Sequence, residues 1–334
     1  MIQLYPLLMT PEFDPRPWGT FDLSPIYPDQ KFSEKIGEAW LTGDHCKVAN
    51  GPLAGRRLDD LSHEYQRALV GEAARDPQRF PLLLKFLFPH EKLSVQVHPD
   101  DEAAQRVGEP WGKTECWYIA HAAAGSQVGL GLKAGATRDQ LAQAIQEKRA
   151  EELLNWVDVH AGDMIYVAAG TVHTLGPGSI LVETQQQSDA TYRLYDYGRP
   201  RELHLERGLA AVKEKAGSGK VARRVAASGS GKNGSGGGEE LVAAPYFVVD
   251  RYDLQIERQF FTEEKGATSV QILVAVEGRG EVECKGAAPV SFAKGDAVVV
   301  PADAHDFNVR AQGRVEFLIS RVPVTPRPEP AVQS

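Results

Sequence analysis

Apolar residues in this chain come in short runs, each cut off by glycine or proline. The runs FPLLLKFLF (80–88), KLSVQVHP (92–99), DMIYVAAG (163–170), SILVET (179–184), TSVQILVAVEG (268–278) and DAVVVPA (296–302) set the pattern, and 32 glycines and 21 prolines among 334 residues supply the breaks. Runs of this length, rich in Val, Ile, Leu, Phe and Tyr, read as strands, many of them buried on both faces. The fold class expected is therefore mainly β, arranged as a sandwich or small barrel.

Two amphipathic helices are expected to interrupt the strands. Residues 58–70 carry Leu58, Leu61, Tyr65 and Leu69 at three- and four-residue spacing. Residues 138–156 follow Thr137, with Gln140 placed to complete a capping box, and Leu141, Ile145 and Leu153 fall on one stripe. Both read as core-facing helices without chemistry. Residues 216–239 have almost nothing to bury and are rich in glycine and serine. They are expected to be a flexible linker, with Lys220, Arg223 and Arg224 as solvated charges. The chain thus divides into residues 1–215, a linker at 216–239, and residues 240–334.

A formal net charge of −8 disfavours nucleic acid as a partner. No apolar stretch approaches the length of a membrane span, and the N-terminus lacks the basic segment and cleavage site of a secretory signal. Three scattered cysteines, Cys46, Cys116 and Cys284, make neither a disulfide framework nor a thiolate metal knot. A cytoplasmic setting is expected.

Gln96 and His98 are two apart on a strand and project to one face. Glu115 lies in the segment Gly112–Trp117, and His173 ends a strand-and-glycine-turn pattern that begins at Gly162. Two imidazoles, a carboxylate and an amide oxygen suit zinc or another divalent metal. In the second β-rich half, His305 has no such companions and reads as structural.

The pattern around His173 resembles the second cupin motif, with Ala168 where proline is usual, and Gln96-x-His98 stands in for the first motif's histidine pair. With Lys92–Asp100, Gly112–Glu115, Pro17-Trp18-Gly19, Ile36–Trp40 and Ser188–Arg193, the chain resembles the type I phosphomannose isomerase family, in its shorter bacterial form. The resemblance implies two cupin (RmlC-like jelly-roll) β-sandwich domains with a few inserted helices. Residues 1–215 would form the catalytic domain and residues 240–334 a cupin-like domain without metal ligands. It implies one Zn2+ held by Gln96, His98, Glu115 and His173. It also implies interconversion of mannose 6-phosphate and fructose 6-phosphate through a cis-enediolate.

Such a reaction moves a proton between neighbouring carbons beside groups that stabilise negative charge. Lys85, a charge inside an apolar strand, Lys113, two residues before Glu115, and Arg193 are the expected catalytic cations. Lys85 and Lys113 are also assigned to the substrate and its phosphate. For the base, Asp189, Glu183, a metal-bound water and His98 stay open. Trp18 and Glu38 are expected to line the pocket. The rival readings are a cupin isomerase for another sugar phosphate, a cupin dioxygenase and a non-catalytic sugar-binding cupin. A weak homo-oligomer is compatible with all of them.

Overall fold

The computed structural model describes residues 2–215, 217–222 and 238–333. It is mainly β with few helices, as the strand pattern predicted. The central layer is an eight-stranded antiparallel sheet. Its order is Glu12–Thr20, Ile36–Trp40, Leu82–Leu87, Ser179–Gln186, Glu115–Ala122, Met164–Val167, Gly219–Val221 and Val332–Gln333. A five-stranded sheet, ordered Tyr192–Tyr195, Val95–Val97, His173–Leu175, Gln127–Leu132 and Leu154–Asp158, covers one face. A second eight-stranded sheet, built mainly from residues after 238, covers the other.

Side-chain alternation explains why the central strands read as continuous apolar runs. Trp117, Ile119, Ile165, Val167, Leu181 and Leu87 pack with Val128, Leu130 and Leu175 of the five-stranded sheet. Their neighbours Cys116, Tyr118, Met164, Tyr166, Val182 and Phe86 pack instead with Ile272, Val274, Val299 and Leu318 of the C-terminal half. Both faces of the sheet are therefore covered, so most positions of the period-two pattern are apolar, apart from the charged residues that face the cavity. The termini cross between the halves: Leu7–Leu8 pairs with Val298–Val299, and Val332–Gln333 pairs with Lys220–Val221.

Three expectations are corrected. The helix expected over 138–156 ends at Gln146, where Lys148 adopts a left-handed φ of 60°. A short 3-10 turn at Ala150–Leu153 and the strand Leu154–Asp158 follow. The capping box itself is present, with Gln140 N donating to Thr137 Oγ1 at 3.2 Å. The helix over 58–70 is broken at Gln66, which has a φ of 47°, into Leu58–Tyr65 and Arg67–Val70. Within the expected linker, Gly219–Val221 is a strand paired with Ile165–Tyr166, and Glu239 opens the strand Glu239–Ala243. Lys220 is bound to Asp163 at 2.7 Å rather than solvated, whereas Arg223 and Arg224 lie outside the described residues. Two further short helices, Asp101–Arg106 and Leu205–Ala211, were not anticipated. Among the described residues no helix is long and apolar enough to cross a membrane.

Candidate active site

The two N-terminal sheets face each other across the expected metal residues. Strand register places His173 opposite Gln96 on one side and Arg193 opposite Gln96 on the other. Gly170, at a φ of 90° that only glycine adopts without strain, donates its N–H to the His98 carbonyl at 2.8 Å. That turn brings His173 back beside His98, with ring centroids 4.8 Å apart. From the central sheet Glu115 reaches both rings. Its Oε2 is 3.4 Å from His98 Nε2 and its Oε1 is 3.4 Å from His173 Nε2.

Each imidazole is oriented by a backbone carbonyl. His98 Nδ1 bonds Ala190 O at 2.9 Å and His173 Nδ1 bonds Thr171 O at 2.9 Å. Donation from Nδ1 leaves the Nε2 lone pair of each ring inside the site. Burial pushes both imidazoles toward the neutral form. His98 lies well below its ordinary value, through burial and then the charges of Lys113 and His173. His173 is pushed down to about 4, chiefly by burial.

These residues fit a metal ion. His98 Nε2 and both Glu115 carboxylate oxygens are buried without a hydrogen bond among the described residues, although Lys113 Nζ lies 3.2 Å from Glu115 Oε2; the arrangement is costly unless something else satisfies the remaining atoms. A tetrahedral site with bonds near 2.1 Å spaces its donor atoms roughly 3.4 Å apart, which is the spacing seen around Glu115. Gln96 Nε2 lies 3.2 Å from His173 Nε2. Half a turn of the amide would present Oε1 there, with the Ser94 hydroxyl able to serve either amide atom. His305 takes no part: it is exposed beside Asp303 in the C-terminal half.

Next to this centre runs a row of buried alternating charges. Lys113 Nζ is 3.2 Å from Glu115 and 3.9 Å from Glu183. Lys85 Nζ is 3.6 Å from Glu183, 3.2 Å from Glu38 and 4.0 Å from Asp189. Glu38 also accepts from Trp40 Nε1 at 2.8 Å and from Arg16 Nε at 3.1 Å. Burial alone would raise the Glu38 carboxyl, but Lys85 and Arg16 outweigh it and hold it down at about 2. Burial likewise opposes the Lys85 charge, and Glu38, Glu183 and Asp189 outweigh it, so the ammonium is held above its ordinary range. Glu183 differs. Burial first, and then the Glu115 charge, push its carboxyl up against the pull of both lysines. Asp189 is 62% exposed at its side chain.

A cavity of about 380 Å³ opens over this row. Trp18, Glu38, Lys85, Gln96, Lys113, Glu183, Asp189 and Arg193 all line it, so every expected substrate residue reaches one space. Arg193 donates to Glu202 O at 2.8 Å, while its Nε is buried without a partner among the described residues. Arg16, Ser94, Thr191 and Arg201 also line the cavity and were not anticipated. Ser94 shares a strand face with Gln96 and was findable by alternation. Arg201, clamped by Asp196 at 2.7 and 2.8 Å, follows a loop that gave no signal.

Comparison with known proteins agrees with this geometry. The family profile of the type I phosphomannose isomerase catalytic domain matches residues 21–111. The chain is 33% identical to "Mannose-6-phosphate isomerase ManA" of Bacillus subtilis, over 95% of this chain and 99% of that one. It is 34% identical to the "Mannose-6-phosphate isomerase" of Streptococcus mutans, over 89% of this chain and 92% of that one. The crystal structure of the mannose 6-phosphate isomerase from Bacillus subtilis superposes with a TM-score of 0.82 at 32% identity, covering 94% of this chain and 99% of that chain.

Proposed function

The chain belongs to the type I phosphomannose isomerase family, and we propose that it interconverts mannose 6-phosphate and fructose 6-phosphate with one Zn2+ held by Gln96, His98, Glu115 and His173. The observation that carries this reading is the buried convergence of His98 Nε2, His173 Nε2 and the Glu115 carboxylate, short of hydrogen bonds, beside two buried lysines and a cavity of about 380 Å³. A Zn2+ held by these residues would supply Lewis acidity at the reacting oxygens, worth several kcal/mol of charge stabilisation.

The protein's own residues do the rest. Glu183 is the proton carrier in this account: its carboxyl is raised by burial toward the working range, it lines the cavity, and Trp117 Nε1 fixes its other oxygen at 3.1 Å. His98 is unsuited to that task, because one ring nitrogen donates to Ala190 O and the other faces Glu115. The exposure of Asp189 makes it the weaker candidate base. Lys113, Lys85 and Arg193 face the negative charge that develops on the sugar oxygens. Both lysines are already engaged by Glu38, Glu115 and Glu183. We assign the phosphate to Arg201, through Nη1, the nitrogen not bonded to Asp196, with the Ser94 hydroxyl of the same cavity. Trp18 and Glu38 bound the pocket.

Residues 1–215 form the catalytic unit in this proposal, and residues 240–334 a supporting cupin-like unit. Three unpaired cysteines, two of them buried, accord with a reducing cytoplasm. A coupled assay of the purified protein with mannose, glucose and fructose 6-phosphates and added zinc tests the reading. Turnover between the mannose and fructose phosphates is expected. Turnover of the glucose phosphate alone would move the assignment to another sugar-phosphate isomerase, and no turnover would favour a sugar-binding module.

A further inference from the structure

Lys113 and Glu115 sit on the segment Gly112–Glu115, and that segment hangs from one carboxylate outside the cavity. Asp101 Oδ1 accepts from Gly112 N at 2.8 Å and from Gln186 Nε2 at 3.0 Å. Gln186 in turn holds both backbone groups of Thr114: its Oε1 accepts from Thr114 N at 2.8 Å, and its own N–H donates to Thr114 O at 3.2 Å. Thr114 lies between the two functional residues. Lys113 N bonds Pro99 O at 3.0 Å. A side chain on Gly112 would meet the Asp100 carbonyl carbon at 2.4 Å and Asp101 N at 2.6 Å, so the two backbones are in direct contact.

The other carboxylate oxygen is held by one donor from each half of the chain. Asp101 Oδ2 accepts from Arg75 Nη1 at 2.7 Å and from the Tyr246 hydroxyl at 3.2 Å. Tyr246 belongs to the C-terminal half, which supplies no ligand to the metal centre. We propose that Asp101 is a positioning residue for Lys113 and Glu115, and that Tyr246 lets the C-terminal half set the geometry of the active site. The carboxylate has four donors in four different segments, and only two of them are needed to close its own loop. The other two tie the catalytic segment to the C-terminal half and to the loop after Val70. Partners that orient ligand-bearing groups commonly change metal affinity or activity by 10- to 100-fold when removed.

This inference rests on the metal-assisted reaction proposed above, and cobalt(II) binding separates the two. Cobalt(II) affinity, measured in the full-length protein by competition with a chromophoric chelator, is expected to fall by about 10- to 100-fold in Asp101→Ala. At saturating metal its kcat is expected to fall by roughly tenfold with KM changed less than twofold, because the sugar's remote groups rest on other residues. Asp101→Asn keeps the Oδ1 acceptor toward Gly112 and Gln186 but turns a donor toward Arg75 and Tyr246, and is expected to lose clearly less of both than the Ala variant. Tyr246→Phe, which removes one hydroxyl, is expected to lower kcat by about two- to fivefold at an unchanged melting temperature. If Asp101→Ala does not fold, the Asn and Phe variants carry the test. Wild-type cobalt affinity and kcat in Asp101→Ala would overturn the proposal. So would equal losses in the Ala and Asn variants, or a Tyr246→Phe variant with wild-type kcat. A wild-type protein that binds no cobalt would instead sink the metal reading itself.

Discussion

Replacing Lys85 by Met keeps the length of the side chain and removes the cation from the centre of the buried charge row. The size of the effect follows from Glu38. Holding its carboxyl at about 2 against an ordinary value of 4.5, at about 1.4 kcal/mol per pH unit, corresponds to about 3 kcal/mol of stability at pH 7. Because the folded value is the lower one, this contribution is complete above the unfolded value and lost as pH falls through 2. Arg16 supplies part of it, but the substitution also leaves Glu183 facing Glu115 with one cation fewer. An unpartnered buried charge of this kind costs roughly 3–5 kcal/mol. Lys85→Met is therefore expected to lose about 3 kcal/mol in urea unfolding at pH 7, and less at pH 4, where Glu38 and Glu183 of the variant can take up protons. A loss under about 1 kcal/mol at pH 7, or a gap that widens on acidification, would refute the reasoning.

Three further outcomes follow from the same geometry. His173→Ala should bind zinc at least about 100-fold more weakly in chelator competition while retaining its far-ultraviolet circular dichroism, since the ring contributes an Nε2 donor and the strand pairing at this position is made by the backbone. Arg193→Ala should keep its metal, read by mass spectrometry, and lose roughly 100-fold or more in kcat, because its unpaired Nε lies in the cavity and not among the ligands. In the metal-free protein His173 alone should take away about 3 kcal/mol of stability between pH 6.5 and 4, and His98 adds to the loss in the same direction. His173 is neutral in the fold down to about 4, so the unfolded chain takes the proton first; flat stability across that window, followed by urea unfolding, would contradict its burial as a neutral ring.

The parts of the fold that rest on period and spacing were legible in the sequence. Lys85 could be singled out because it is one charge in a strand whose other five residues are apolar. Gln96 and Ser94 share a face by simple alternation, and Thr137 with Gln140 marked a helix start that the structure contains. The end of that helix was not legible. Lys148 turns the backbone left-handed without the glycine that usually signals it. The strand Gly219–Val221 was hidden because its pairing uses backbone groups and only partly buried side chains. Arg16 and Arg201 look like surface charges in the sequence. Glu38, 22 residues away, turns the first toward the cavity, and the loop contact with Asp196 orients the second. The crossing of the two termini between sheets is likewise a tertiary fact, carried by strands of two residues each.

The most direct test of the central claim is turnover of mannose 6-phosphate before and after removal of bound metal by a chelator, followed by titration with zinc. Activity should be lost on chelation and return with one equivalent of zinc per chain, in the wild type but not in Glu115→Ala. Full activity in protein shown by mass spectrometry to be free of divalent metal would contradict it.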